Sequence, residues 1–288
     1  MDKANEIQAL LHLIDDPDEE VFGAVSNKII EFGRVIIPNL ENLWENTINE
    51  EVQERIELLI HRLHFTDLKE DFKQWALAGH HDLLVGALLA AKFQYPDLTT
   101  VNIVQEIEKL KRNIWLETNN YLTPLEHIRI VTGILYGYFG LKGKETSYTN
   151  VNDFLLNKTI ESKTGNQVSN GIIYLILCDL LDIPVKVVSV PKQFVLGFFK
   201  PGYSSEAIDQ PISKIEFFID PSSGQAFTHK DLEAYFKRIS VPPVPSYFKP
   251  LSNKKAIQQL LEEMAKCFDN EKEYYKKDEL MELAELLD

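Results

Sequence analysis

The residues in this chain that are best able to do chemistry are its two cysteines and seven histidines. Cys178 and Cys267 lie far apart in apolar segments that look helical, so they form neither a CxxC metal motif nor a disulfide framework. His61 and His64 share one face of a predicted helix at a spacing that suits a metal ion, but no third ligand accompanies them. HExxH, GxSxG, phosphate-loop and EF-hand motifs are also absent from the sequence. We therefore expect no metal and no cofactor.

The composition narrows the class of protein. The chain has 288 residues, of which 44% are hydrophobic, enough to pack the core of one large domain or two smaller ones. Its 44 acidic and 30 basic residues give a net charge of −14, which disfavours binding to nucleic acids and to anionic membranes. The sequence shows neither a secretory signal nor a long uncharged apolar stretch, which favours a cytoplasmic location.

The first 78 residues have the pattern of short helices only. Asp16 and Pro17 predict a helix start, Gly33 predicts its end, and Ile37 with Pro38 opens the next helix. The stretches DDPDEEV and VIIPNLENLWE resemble HEAT-like repeats, in which paired helices stack and bury their apolar stripes together. A plain helical subdomain explains the same pattern. We predict a helical region over 1–78, either HEAT-like or not.

The rest of the chain mixes helices with a few strands, which predicts an α+β fold. β-Branched and aromatic residues favour strands at 185–190, 193–199 and 214–220, with a polar loop at 202–211 between the last two. Helical periodicity predicts helices at 82–94, 99–118, 124–139, 150–163, 168–182, 229–239, 254–268 and 277–287. A Pro-rich boundary at 242–245 completes a division into a helical region (1–78), a core (79–245) and C-terminal helices packed on that core (246–288).

An ordered set of short motifs lies between Asn152 and Gly224. It consists of Asn152-Asp153, the loop and helix start GNQVSNG at 165–171, Tyr174 on that helix, DIP at 182–184, VPKQF at 190–194 and IDP at 219–221. In order and spacing these motifs resemble the transglutaminase-like superfamily, in the bacterial branch of SirB-type regulator homologues. The likeness extends over roughly residues 79–240. It implies a transglutaminase/cysteine-protease-like core with a small antiparallel sheet.

The resemblance also implies where a catalytic site would lie. Active members of the superfamily resemble papain-like enzymes, with a Cys at a helix start, a His on a strand and an Asp on the next strand. Carried onto this chain, the Cys position falls near Gln167, the His position on Gln193 and the Asp position on Asp220. Cys178 lies too far along the helix to replace the nucleophile, and an amide is no base at neutral pH. The nucleophile and the base are therefore both missing.

Each remaining candidate has a structural and a functional interpretation. Ser169 is either a helix cap or, if a base is present, a nucleophile. Gln193 is either a surface residue on a strand or a binder of amides and carboxylates. Asp220 either ends a strand in a turn or bonds Gln193 and preserves the old site geometry.

Three hypotheses about function follow. The first is a catalytically inactive transglutaminase-like protein that binds a protein or peptide partner. Its candidate binding residues are Asn152, Asn166, Ser169, Asn170, Tyr174 and Gln193. The second is an amide hydrolase or acyltransferase with a repurposed site around Ser169. The third is a HEAT-like scaffold for protein interactions, with the core as its support.

Overall fold

A computed structural model of the chain describes residues 3–200 and 211–288. Apart from Pro211, the predicted loop at 202–211 lies outside the described residues. The chain divides into two compact units, Met1–Asp71 and Phe72–Asp288. Within the described ranges, every helix is too short or too polar to cross a membrane.

The first unit is entirely helical. It contains α1 (Lys3–His12), α2 (Glu19–Phe32), α3 (Ile37–Asn46) and the greater part of α4 (Glu50–Leu77). The pattern of short helices predicted over 1–78 is wrong at its end, because α4 runs without interruption from Glu50 to Leu77. The apolar faces of these helices, together with Ile14 in the turn after α1, form one core, which includes Phe22, Val25, Ile29, Leu40, Ile56 and Leu59.

The ends of α2 follow local chemistry. The predicted cap Asp16 lies two residues too early: Asp18 is the N-cap, and its Oδ1 accepts a hydrogen bond of 2.9 Å from the Glu20 amide. Asp16 instead accepts from the amide of Asp18, at 2.9 Å, in the preceding turn. Gly33 ends the helix as predicted, with φ of 66°, a conformation that favours glycine.

The second unit consists largely of helices. They are α5 (Leu83–Gln94), α6 (Val101–Glu117), α7 (Pro124–Thr132), α8 (Leu156–Ser162), α9 (Gln167–Asp179), α10 (His229–Ile239), α11 (Asn253–Ala265) and α12 (Tyr274–Glu285). One of them, α9, is buried on nearly all sides. The helix predicted at 124–139 changes to a π-helical turn at Gly133–Tyr138. Every residue of α9 from Val168 to Cys178 is buried, as expected for a helix that is apolar all round.

The C-terminal helices belong to the same unit. Helix α11 packs against both α12 and α5. Its approach to α5 depends on Gly86, because a Cβ there would lie 2.7 Å from the Trp75 ring and 2.8 Å from Ile257.

Two small sheets complete the α+β fold. Strands β1 (Lys142–Gly143) and β2 (Thr164–Gly165) form a parallel pair just before α9. Strands β3 (Val185–Val188), β4 (Val195–Phe199), β5 (Ile215–Asp220) and β6 (Gln225–Phe227) form an antiparallel meander in that order. The small antiparallel sheet predicted from the sequence is thereby confirmed.

Two details of the sheets differ from the prediction. Strand β4 begins at Val195, so Gln193 lies in the turn before the strand and not on it. The parallel pair and β6 are not predicted, because segments of two or three residues carry no periodic signal.

Candidate functional site

The start of α9 is closed by a reciprocal pair of hydrogen bonds. Asn166 Oδ1 accepts from the amides of Val168 at 2.9 Å and Ser169 at 3.0 Å. In return, Ser169 Oγ accepts from the Asn166 amide at 3.0 Å. These bonds form a capping box, which satisfies backbone donors that a helix start otherwise leaves unpaired. Ser169 is only 1% exposed, so its hydroxyl serves the helix and not the surface.

Buried polar side chains are concentrated around this helix start. Apart from Ser26, those of the described residues lie on α8 or at the start of α9: Asn157, Thr159, Asn166, Ser169 and Asn170. Asn170 Nδ2 donates to the Lys142 carbonyl on β1 at 3.3 Å. Gly165 is required here, because a Cβ would lie 2.3 Å from Asn170 Oδ1 and 2.5 Å from Ser169 Oγ. This polar cluster ties β1, β2 and α9 together.

On the opposite side of the same helix turn, Gln167 contacts Gln193, which lies in the turn before β4. Gln167 Nε2 donates to Gln193 Oε1 at 2.8 Å, and the Phe194 amide donates to Gln167 Oε1 at 3.1 Å. Because a backbone N–H can only donate, it fixes the orientation of the Gln167 amide, which in turn fixes that of Gln193. The Gln193 Nε2 group therefore remains a donor. The two side chains that the family resemblance places at or near the nucleophile and base positions are therefore in direct contact.

Tyr235 extends this chain of hydrogen bonds. Its hydroxyl donates to the Pro191 carbonyl at 2.7 Å. Burial raises the pKa of Tyr235, whereas Arg238 and the Gln193 side chain act in the opposite direction. The phenol thus stays protonated at neutral pH and helps to hold the turn that carries Gln193.

Gln167 and Gln193 open into a cleft of about 370 Å³. Its buried apolar part consists of Val168, Val190 and Phe194. Its polar part comes from three other segments: Thr146 and Tyr148, Lys192 in the turn, and Gln259, Glu263 and Lys266 from α11 and its end. An apolar floor with a few convergent polar groups is typical of a ligand site.

The polar wall of the cleft is internally bonded. The Tyr148 hydroxyl donates to Glu263 Oε2 at 2.7 Å, and Lys266 Nζ lies 2.6 Å from Glu263 Oε1. Burial, with a smaller contribution from the bond to Glu263, raises the pKa of Tyr148 to about 12. At neutral pH the Tyr148 phenol is therefore neutral, and it lies beside the ion pair of Glu263 and Lys266.

Asp220 has a different role from the orienting acid that its position suggests. Its Oδ1 accepts from the Ser222 amide and its Oδ2 from the Ser223 hydroxyl, both at 2.9 Å. Strand β5 is paired with β4 through Leu196 and Ile219, which brings the ends of the two strands together. Within the described residues, however, Asp220 bonds its own turn and not Gln193.

Two further predicted binding residues lie away from the cleft. Asn152 Oδ1 accepts from the Tyr95 hydroxyl at 2.9 Å. Tyr174 is fully buried, and its hydroxyl bonds Thr132 at 3.2 Å and the Ile128 carbonyl at 3.4 Å. Burial raises the pKa of Tyr174 well above its ordinary value. Both residues hold the core together.

Neither cysteine is a thiolate at neutral pH. Cys178 is completely buried, and burial raises the pKa of its thiol. Burial, together with the nearby carboxylates Asp153 and Glu263, raises the pKa of Cys267 to about 12. Among the described residues, moreover, no group of three His, Cys, Asp or Glu side chains is placed to hold a metal ion.

Sequence reasoning missed the contribution of Tyr148, Gln259, Glu263 and Lys266 to the cleft. Gln259, Glu263 and Lys266 lie more than ninety positions after Gln167 in the chain, in a helix whose apolar stripe indicates only a packing face. No local motif carries this information. A signal existed only for Lys192, which stands beside Gln193 in the motif VPKQF.

Comparisons with known proteins agree with this architecture. Residues 101–262, more than half of the chain, match the model of the transglutaminase-like superfamily. Protein SirB1 of Salmonella typhimurium is 23% identical over 192 residues, which cover 65% of this chain and 67% of SirB1. UPF0162 protein YchA of Escherichia coli (strain K12) is 24% identical over 183 residues, which cover 62% of this chain and 64% of YchA. The chain thus spans about two thirds of the length of these relatives.

No solved structure matches the chain. The family match covers α9, the glutamine pair, the antiparallel sheet and most of α11. The chain therefore belongs to the transglutaminase-like superfamily, and its curated relatives are proteins of the SirB1 type.

Proposed function

We propose that this protein is a catalytically inactive transglutaminase-like protein that binds a peptide or a protein segment in the cleft of Gln167 and Gln193. One observation carries the proposal: the hydrogen bond of 2.8 Å between Gln167 and Gln193, the side chains at or near the positions that the family resemblance gives to the nucleophile and the base. A primary amide has no thiol that could ionise to a nucleophile, and it is not a base at neutral pH. The pair keeps the proximity that catalysis would need but lacks its chemistry.

The groups of the cleft suit a peptide. A peptide unit offers one donor and one acceptor, and the side-chain amides of Gln167, Gln193 and Gln259 complement both. The buried side chains of Val168, Val190 and Phe194 provide an apolar surface for one of the peptide's side chains. The volume of about 370 Å³ lies within the range of small-ligand sites.

The alternative of acyl transfer from Ser169 has little support. Its Oγ is buried and bonds only atoms of Asn166 within the described part of the chain. A serine nucleophile needs a general base within hydrogen-bond reach and an open path to its substrate. Ser169 has neither feature, so we rank this function below peptide binding.

A separate observation favours a second binding function in the first unit. A groove of about 910 Å³ runs along α1 and α3, lined by Leu11, Pro38, Leu43 and several amide side chains. It suits the HEAT-like interaction surface that the sequence suggests. Asn42→Arg would obstruct the groove without touching the core, and loss of a co-purifying partner would support this function. Unchanged partner recovery would refute it.

The principal test measures both catalysis and binding on the full chain. Ammonia release and amine incorporation are followed with glutamine-containing peptides, and we expect neither above background. Binding is measured on an immobilised array of random peptides, where Gln193→Ala should reduce the signal. Gln225→Ala, an exposed glutamine on β6, is the matched control. Turnover that Ser169→Ala abolishes would contradict the proposal.

A further inference from the structure

The lining of the cleft of Gln167 and Gln193 has a charge of opposite sign to the net charge of the chain. The whole chain has a net charge of −14, yet the cleft is lined by Lys192 and Lys266 against the single carboxylate of Glu263. Lys266 is paired with that carboxylate at 2.6 Å. Lys192 has no carboxylate partner within the described residues. The cleft therefore holds one uncompensated cation, which attracts anions locally.

The backbone at Lys192 holds this cation beside the glutamine pair. Lys192 has φ of 61°, a left-handed conformation that is uncommon for a residue other than glycine. The Lys192 ammonium and the Gln193 amide are thus presented by two successive residues of one turn. Gln193 Nε2 carries two hydrogens, and since the Tyr235 hydroxyl takes one of them, the other remains as a donor beside the Lys192 ammonium, so the turn offers two kinds of donor to one ligand group. A carboxylate accepts from both.

A buried acceptor that has no partner among the described residues also belongs to the lining of the cleft. Gln259 of α11 lines the cleft, and its Oε1 is buried with no hydrogen-bond partner within the described residues. A buried acceptor without a donor costs free energy, which a ligand N–H would recover. The cleft is therefore complementary to a ligand that presents an anionic acceptor to Lys192 and Gln193 and an N–H donor to Gln259.

From this arrangement we infer that the ligand is a peptide whose carboxylate binds Lys192 and Gln193 while a neighbouring N–H donates to Gln259. The inference rests on the proposed binding function and specifies its ligand class. A peptide C-terminus and an acidic side chain supply the same carboxylate chemistry. The experiment separates these two sources.

The test titrates the full chain with three small probes and follows the side-chain amide signals of Gln167 and Gln193 by NMR. Acetyl-glycyl-leucine carries a terminal carboxylate, acetyl-glutamyl-leucinamide carries a side-chain carboxylate, and acetyl-glycyl-leucinamide carries none. We expect at least one carboxylate probe to bind about tenfold more tightly than the neutral probe. The probe that binds more tightly identifies the source of the carboxylate.

Variants then assign the charge to one residue. Lys192→Gln should weaken the carboxylate probe about threefold to tenfold, since a partly exposed charge contributes modestly, and leave the neutral probe unchanged. Lys230→Gln, an exposed lysine on α10, is the matched control and should change nothing. Lys192→Asn gives the same test in a residue that tolerates left-handed backbone, so it keeps the turn folded. Gln259→Met should weaken all probes that contain the N–H group.

The possible outcomes are distinct. If the neutral probe shifts both glutamine signals as strongly as the carboxylate probes, the carboxylate inference fails and the binding function stands. If no probe shifts them, the inference is overturned, and the peptide array decides the binding function independently. If a probe amide is cleaved or exchanged, the proposed function itself fails. Equal weakening by Lys192→Gln and Lys230→Gln would also overturn the inference.

Discussion

The two faces of the first turn of α9 differ in what their side chains do. On the inner face, Asn166 and Ser169 are buried and bond each other's backbone. On the outer face, Gln167 bonds Gln193 and opens into the cleft. Successive residues of a helix point about 100° apart, so neighbours in the sequence belong to different environments. The Ser169 hydroxyl therefore caps the helix, and the Gln167 amide two positions earlier faces the cleft.

The largest effect is expected on the inner face. Gly165→Ala places a Cβ within 2.5 Å of both Asn170 Oδ1 and Ser169 Oγ, so buried groups must move. We expect the free energy of unfolding to fall by about 3 kcal/mol in urea titrations. Gly133→Ala is the matched control, because a Cβ there meets no atom within 4 Å and its backbone is helical. Similar stability of both variants would show that the inner face is loosely packed.

A smaller loss follows from removing the cap itself. Asn166→Ala deletes the Oδ1 that accepts from the Val168 and Ser169 amides, and it should lower stability by about 2 kcal/mol. Hydrogen exchange of the first amides of α9 measures the change locally. Ser252→Ala removes a single-bond cap from α11 and should cost about half as much. Equal exchange rates in wild type and Asn166→Ala would contradict the role of the cap.

One pair of variants separates the two faces directly. Ser169→Ala should cost about 1 kcal/mol of stability and leave peptide binding unchanged, because its hydroxyl only caps the helix. Gln193→Ala should change stability by less than about 0.5 kcal/mol, because the cleft admits water, and it should weaken binding. Urea unfolding and the peptide array give the two readouts. The reverse pattern would exchange the roles assigned to the two faces.

The smallest expected effect is a dependence of stability on pH that comes from Tyr148 in the polar wall of the cleft. The pKa of Tyr148 is about 12 in the folded state, above the ordinary value of 10 in the unfolded chain. The unfolded state therefore loses this proton first, and the stabilisation that is complete below pH 10 is lost as pH rises towards 12. Since the ring is partly exposed, we expect well under about 1 kcal/mol.

Comparing unfolding across this pH range in wild type and Tyr148→Phe measures the effect, because the variant lacks the titrating group. Tyr121→Phe, on a ring that is 96% exposed, should keep the wild-type slope. If the free energy of unfolding of Tyr148→Phe depends on pH as strongly as that of the wild type, the Tyr148 phenol does not contribute to this pH dependence.

Much of the fold was accessible from the sequence because its signals are local. Helix α10 lies at the predicted residues, and Asp-Ile-Pro at 182–184 marks the turn between α9 and β3. The errors also have local causes. Gln193 was predicted on a strand because β-branched and aromatic residues follow it, whereas the left-handed backbone at Lys192 delays β4 to Val195.

The candidate site was accessible only in part. The family pattern pointed to Gln167, Ser169, Gln193 and Asp220, but it could not tell which of their side chains face one another. The structure joins Gln167 to Gln193, whereas Ser169 serves the helix cap and Asp220 its own turn. Distances between side chains depend on packing between elements, which a spacing pattern does not encode.

By itself, the sequence determined the α+β class, because this follows from residue type and periodicity, whereas the candidate positions Gln167 and Gln193 came only from the resemblance to a family. Tertiary structure alone decided that the side-chain amides of Gln167 and Gln193 meet, and that α11 and its C-terminal end line the cleft with Gln259, Glu263 and Lys266. The physical reason is that a cleft is made by distant segments packed together. Its chemistry depends on which atoms that packing leaves without partners, such as Gln259 Oε1.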